Sequence, residues 1–242
     1  IIIIKMNEFW DTDIEVGYYD KVLKNGLIKN KGIQANWHRS TFLRVSSLIN
    51  EGDLHLDYAC GPGTFAGNYV YCKSLNTDIS DKQIEYANKN YGEKSEFIKY
   101  DKFHFNNYKE SFNIITVLGL LEFIDDDIIV ELINNFYNSL KPGGKVVLTT
   151  PNYGGLMYFL ELVLNKIGKL DYTNQHINRF DKKRAKKIME KTNFKSIKVE
   201  KFINLGIFSS FISFEFSDRL MLYIDKFFNN FFGFLLLIEL KK

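Results

Sequence analysis

Short apolar runs alternate along this chain with longer amphipathic stretches, which predicts strands and helices in turn. Leu54-His55-Leu56-Asp57-Tyr58 reads as a first strand, and a short helix follows from about Thr64. A second strand is expected at about 71–77, ending in Asp78. Ser80-Asp81-Lys82-Gln83 has the form of a capping box, with Ile84, Ala87 and Tyr91 at helical spacing behind it. Glu96 to Tyr100 is a third strand. Phe112 to Leu118 is a continuous apolar run, as in a strand buried on both faces. Ile128, Ile129, Leu132, Ile133, Phe136 and Leu140 form one face of a helix, and Asp125-Asp126-Asp127 suits the positive end of its dipole. Pro142-Gly143-Gly144 ends that helix and turns into a fifth strand. Residues 195–202 alternate, with Ile197 and Val199 on one face and lysines on the other; 231–240 reads as the last strand.

The flanks are helical. Phe9, Trp10, Tyr18, Tyr19 and Val22 suggest one segment, Gly26 and Gly32 punctuate a loop, and Phe42, Leu43, Val45, Leu48 and Ile49 suggest another. Residues 154–169 form an apolar helix, and Asp181 caps a helix rich in lysine and arginine. Residues 203–216 mix helical and strand character, and 217–230 are helical. The chain thus divides into a helical cap at 1–50, a core at 51–202, and a stretch at 203–242 that completes the same domain.

Composition narrows the function classes. A hydrophobic fraction of 45% supports a large core, and a net charge of +3 with no concentrated basic stripe argues against a nucleic-acid surface. Cys60 and Cys72 are too few for a disulfide framework, so a reducing, cytoplasmic setting is the default. No apolar run reaches the roughly 18–20 residues that span a bilayer. Ile1-Ile2-Ile3-Ile4-Lys5 is too short and lacks the basic start of a signal peptide, which makes Met6 a candidate start. No Cys/His set has metal-ligand spacing, so no metal is expected.

The candidate chemistry lies after the first strand, in Asp57-Tyr58-Ala59-Cys60-Gly61-Pro62-Gly63. Small residues let a backbone approach a ligand closely, and amides at a helix start favour polar or negative groups. Asp78, at the end of the next strand, can accept hydrogen bonds from both hydroxyls of a ribose. Two cofactors compete: Gly61-x-Gly63-x-x-Ala66 fits a dinucleotide turn, while a nucleoside such as S-adenosylmethionine would use the same features.

The stretch resembles motif I of the class I S-adenosylmethionine-dependent methyltransferases through Asp57, Cys60, Gly61, Pro62 and Gly63, with Ala59 where the first glycine usually stands. Gly119-Leu120-Leu121-Glu122-Phe123-Ile124 resembles a further segment of that family, with Phe123 in place of the usual histidine, and Asn113 replaces a frequent aspartate. Leu140-Lys141-Pro142-Gly143-Gly144 is a structural mark of the family, and His176-Ile177-Asn178-Arg179-Phe180 resembles a segment of its quinone-type and small-molecule members. The resemblance implies an α/β, Rossmann-like sheet of seven mostly parallel strands with helices on both faces, ordered 3-2-1-4-5-7-6, the last strand antiparallel, with a substrate lid inserted in the core at about 152–178. It implies S-adenosylmethionine as cofactor and S-adenosylhomocysteine as product. The cofactor-binding residues would be Asp57, Ala59, Cys60, Gly61 and Gly63 along the methionine part, Asp78 and Ile79 at the ribose, and Asp101 and Lys102 at the adenine, with Leu118 completing the set. Asp57 would position the turn and the cofactor amine.

His176 is the candidate general base, since imidazole titrates near neutrality. The expected partner is a small molecule, methylated on a hydroxyl oxygen of a sugar, phenolic or lipid-like compound. No Asn/Asp-Pro-Pro-aromatic motif follows the fourth strand, and no recognition domain for a nucleic acid or protein is appended. His38 and His104 are weaker candidates for the base, and His55, inside a strand, is structural. The greasy stretch at 203–216 covers the substrate on one reading; on another it gives peripheral membrane contact. Two rival functions remain: an NAD(P)-dependent oxidoreductase using the same turn, and a catalytically inactive binding module of methyltransferase fold.

Overall fold

A computed structural model describes residues 14–167, 176–228 and 231–242. Phe9, Trp10 and Met6 lie outside the described residues. Seven strands form one sheet in the order β3-β2-β1-β4-β5-β7-β6: β1 Leu54–Tyr58, β2 Lys73–Asp78, β3 Glu96–Lys99, β4 Phe112–Leu118, β5 Leu140–Pro151, β6 Ser196–Phe202 and β7 Leu235–Lys241. Only β7 runs against its neighbours, pairing antiparallel with β5 and β6.

Side-chain alternation explains why both faces are covered. Ile115, Val146, Leu148 and Ile238 share one core with Ile129, Ile133 and Phe136 of α5 (Asp126–Ser139) and Ala185 and Met189 of α7 (Lys182–Met189). Ile114, Val147 and Leu237 face the other way, against Val45 of α2 (Ile33–Ser46) and Phe65 of α3 (Thr64–Tyr69). The core strands carry apolar residues at consecutive positions because both of their faces are buried.

Three local expectations change. Gly26 lies inside α1 (Tyr18–Lys29), not in a loop. A Cβ there would come within 2.1 Å of the Ala35 Cβ, so the glycine lets α1 and α2 touch. Leu140 already pairs with Phe112, and the next pair is Ile114 with Lys145, so the Pro-Gly-Gly stretch is a bulge within β5 and not a turn before it. Ser80 caps α4 (Asp81–Tyr91) by accepting from the Gln83 amide at 3.3 Å, but Gln83 does not close the box: its side chain accepts from Gly17 N at 3.1 Å.

The register fixes where the site can be. β1, β4, β5 and β6 point the same way, so the chain leaves the carboxyl edge of the sheet after Tyr58, Leu118, Pro151 and Phe202. The 152–180 stretch carries α6 (Met157–Ile167); the 203–234 stretch carries a 3-10 segment, Leu205–Phe211, and α8 (Phe214–Phe228). The apolar stretch at 203–216 is therefore helical. No described helix is long and apolar enough to cross a membrane.

Candidate cofactor and acceptor site

Between β1 and α3 the chain passes three left-handed residues, Ala59 (φ 64°), Gly61 (φ 54°) and Gly63 (φ 72°). The two glycines serve different ends. A Cβ on Gly63 would stand 2.6 Å from the Phe97 ring, so packing requires the glycine. A Cβ on Gly61 would meet nothing within 4 Å, so this backbone faces open space where a ligand can lie against it. Cys60 N donates to Thr77 O at 3.0 Å and Gly63 N to Cys60 O at 3.1 Å. Asp78 joins the two turns: its Oδ2 accepts from Gly61 N at 2.8 Å and its Oδ1 from Ser80 N at 2.9 Å.

Asp101 and Lys102 lie exposed in a 3-10 turn, Tyr100–Lys102, that directly follows β3. The pairing of Asp78 with Lys99 brings this turn alongside Asp78 and Ile79. Leu118 ends β4, and Gly119 (φ 76°) follows it next to the β1 turn. The expected cofactor residues therefore line one continuous edge, from β3 through β2 and β1 to β4. Asp57 is buried at the end of β1 against Thr116, and burial, reinforced by Asp78, pushes its carboxyl up to about 7. Thr64 Oγ1 and Thr77 Oγ1 are buried without a partner among the described residues. A turn with an open glycine backbone and two unsatisfied hydroxyls fits the polar methionine and ribose parts of S-adenosylmethionine.

His176 stands apart from that edge, beyond β4 and β5. Its Nδ1 lies 3.0 Å from the Tyr153 hydroxyl and 3.4 Å from Glu161 Oε1, and its ring meets Phe123 edge-on at 5.0 Å. Arg179 reaches the same Glu161 oxygen at 3.7 Å. Burial lowers the His176 pKa while Glu161 opposes the shift, so the ring is neutral at neutral pH and able to take a proton. Glu161 is only 5% exposed, and its Oε2 has no partner among the described residues. Between the two groups sits Glu122, 4% exposed, accepting from Thr150 Oγ1 at 2.9 Å. Burial pushes its carboxyl up to about 7. Sequence reasoning quoted Glu122 and Arg179 without a role and passed over Tyr153 and Glu161. The available signal was an acid at 161 inside an otherwise apolar helix.

The other histidines fall away from this cluster. His38 packs between Tyr19 and Phe42 of the cap, and burial lowers it to about 4. His104 is exposed before a 3-10 turn. His55 is buried between Ser74 Oγ and Thr116 Oγ1, each 2.8 Å away. Among the described residues no group of His, Cys, Asp and Glu could hold a metal ion, and Cys60 and Cys72 are free and buried.

The model of a methyltransferase-domain family matches residues 33–199. No curated protein matches the chain. Among solved structures it is similar to an S-adenosylmethionine-dependent methyltransferase from Archaeoglobus fulgidus, with 18% identity, coverage of 86% of this chain and 94% of that one, and a TM-score of 0.60. It is similar end to end, at 15% identity and TM-score 0.62, to a magnesium protoporphyrin IX methyltransferase from Synechocystis with bound S-adenosylhomocysteine, covering 100% of both chains. All of this chain also matches 60% of a Haemonchus contortus phosphoethanolamine N-methyltransferase, at 17% identity and TM-score 0.63. At such identities the structures establish the fold. The family match spans the cofactor edge and the 140–144 bulge, and it decides between the two cofactors that the glycine turn alone leaves open. The chain belongs to the methyltransferase-domain family and is an S-adenosylmethionine-dependent methyltransferase.

Proposed function

We propose that the enzyme methylates a hydroxyl oxygen of a small molecule, a sugar, phenolic or lipid-like compound, with His176 as general base. The observation that carries this reading is the half-buried His176, its pKa lowered by burial, held by Tyr153 and Glu161 where the lid leaves the carboxyl edge. S-adenosylmethionine supplies a methyl group already activated on a sulfonium, so the protein has only to align the acceptor, take its proton and exclude water. Asp78 would hold the ribose hydroxyls and Asp101 the adenine amino group, with the turn from Ala59 to Gly63 along the methionine part. An acceptor hydroxyl held beside His176 would give its proton to the ring as its oxygen takes the methyl group from the sulfonium sulfur, which leaves as neutral S-adenosylhomocysteine. Glu161 then faces the imidazolium and stabilises its charge.

The test is an acceptor screen, sugars and phenolic lipids first, run beside calorimetric titration with S-adenosylhomocysteine. His176→Ala is expected to keep its affinity for S-adenosylhomocysteine and to lose roughly 10²- to 10⁴-fold in turnover. An unchanged rate with the acceptor found would reduce His176 to a fastening role in the lid.

We also propose peripheral contact with an anionic lipid surface through α8. Phe216, Tyr223 and Phe227 are exposed, and their spacing puts them on one helix face with Arg219 and Lys226. The acids of α8 are engaged by the protein: Asp218 with Arg39 at 2.9 Å, Asp225 with Asn204 at 2.6 Å and Glu215 with Asn30 at 2.7 Å. The outward face thus offers aromatic rings and cations. Flotation with vesicles containing phosphatidylserine should be lost in Tyr223→Ser/Phe227→Ser; equal flotation of both proteins would refute the contact.

A further inference from the structure

Asp57 is one end of a buried row of five side chains that crosses three strands. Thr116 Oγ1 lies 2.6 Å from Asp57 Oδ1 and 2.8 Å from His55 Nε2. His55 Nδ1 lies 2.8 Å from Ser74 Oγ, which donates to Asn76 Oδ1, also at 2.8 Å. All five residues are buried. The direction of the row is set at its far end. The Asn76 amide nitrogen donates to Glu96 O at 2.8 Å, so its oxygen faces Ser74 and must accept.

Counting protons from that end leaves little freedom. Ser74 has one hydroxyl proton and gives it to Asn76, so Ser74 accepts from His55 Nδ1. A neutral His55 then has a bare Nε2, which accepts from Thr116. Thr116 has no proton left for Asp57, and the 2.6 Å contact is satisfied when Asp57 itself carries the proton and donates it. Ionising Asp57 reverses the row: Thr116 donates to Asp57, His55 to Thr116 and Ser74 to His55, and the buried Asn76 oxygen loses its donor. A charged His55 beside an ionised Asp57 holds the same number of protons but needs two buried charges, and burial drives the His55 pKa down to about 3. The other titratable groups facing Asp57 give its anion no support: Asp78 opposes a second negative charge, and burial keeps the Cys60 thiol protonated.

We propose that this row keeps a proton on Asp57 in the ligand-free enzyme, and that the cofactor's ammonium group expels it on binding. Thr116, His55, Ser74 and Asn76 are then positioning residues that act through Asp57. The proton goes to solvent, so binding of S-adenosylmethionine or S-adenosylhomocysteine is coupled to pH. The coupling rests on the reading that Asp57 faces the cofactor amine; the protonated state of Asp57 does not.

Two experiments separate these parts. Carbon NMR of the Asp57 carboxyl in the ligand-free protein should give a midpoint near neutrality. Ser74→Ala leaves the Asn76 oxygen without a donor in both states, so the preference for protonated Asp57 weakens and the midpoint falls by about one pH unit, the value of one hydrogen bond. Asn76→Leu frees the Ser74 proton for His55 and should act in the same direction. A wild-type midpoint below pH 5, or one unmoved in both variants, overturns the row's role. Calorimetry with S-adenosylhomocysteine at pH 6.5, in two buffers of different protonation enthalpy, should show proton release by the wild type, less by Ser74→Ala and none by Asp57→Asn. Binding without proton release, in a protein whose Asp57 does titrate near neutrality, overturns the coupling and the placement of the amine at Asp57.

Discussion

Glu122→Gln should make this enzyme more stable at alkaline pH and leave its stability unchanged in mild acid. Burial raises the Glu122 carboxyl from 4.5 to about 7 in the folded chain. Between those values the unfolded chain has released a proton that the folded chain still holds, so stability falls as pH rises through this window and stays low above it. The gap corresponds to about 3 kcal/mol at about 1.36 kcal/mol for each tenfold change in proton affinity. Glutamine imitates the protonated acid. Its amide oxygen can accept from Thr150 Oγ1 as Glu122 Oε2 does at 2.9 Å, and its NH₂ takes the place of the protonated oxygen near Gly119. For a chain of this length about 3 kcal/mol is worth roughly 6–12 °C in Tm. Thermal unfolding followed by circular dichroism should show that gain at pH 8.5 and almost none at pH 4.5. A Tm at pH 8.5 equal to or below that of the wild type would refute the reasoning, because it would mean that the wild-type site bears no buried charge. A buried acid that weakens the fold at working pH, placed between the cofactor turn and His176, is more readily explained by chemistry than by architecture.

Asp78→Ala should raise the Kd for S-adenosylhomocysteine roughly 10- to 150-fold, the value of a hydrogen-bonded carboxylate, with little change in circular dichroism; wild-type affinity would remove the ribose assignment. Asp20, fully buried, accepts from the hydroxyls of Tyr91 and Tyr86 and pairs with Lys24, which fastens α1 to α4. Asp20→Ala should therefore cost about 2–4 kcal/mol in urea unfolding, the value of leaving two tyrosine hydroxyls without their acceptor, and a loss under about 1 kcal/mol would show that α1 does not depend on this cluster. Ala59 holds φ 64°, so Ala59→Gly should relieve about 1 kcal/mol of backbone strain and raise Tm; a lower Tm would mean that the methyl group's packing outweighs the strain.

The sheet was legible because its signals are local. Phe112–Leu118 matches the expected fourth strand because a run this rich in apolar residues has few other ways to be buried. What failed depended on partners distant in sequence. Nothing near Gly26 announces Ala35 across the helix pair, and nothing near Gln83 announces that Gly17 claims its side chain. The bulge in β5 is set by pairing with β4, which a proline and two glycines do not reveal.

The candidate site divides along the same line. The candidate cofactor edge was legible through the resemblance, since each residue it implies lies at or just past the end of a strand and the strand order places those ends side by side. The His176 side was not, because Tyr153 and Glu161 meet His176, and Arg179 meets Glu161, only in the folded chain. The substitution at Phe123 shows what this costs a residue-by-residue comparison. Taken alone, a phenylalanine in place of the family's usual histidine suggests a lost function. In the folded chain the His176 ring lies 5.0 Å from the Phe123 ring, so an imidazole still occupies this corner, brought there by the stretch after β5 instead of by the segment after β4. On the proposed assignment the departure at 123 moves the base to another element, and the inactive-module reading loses the support it drew from that position.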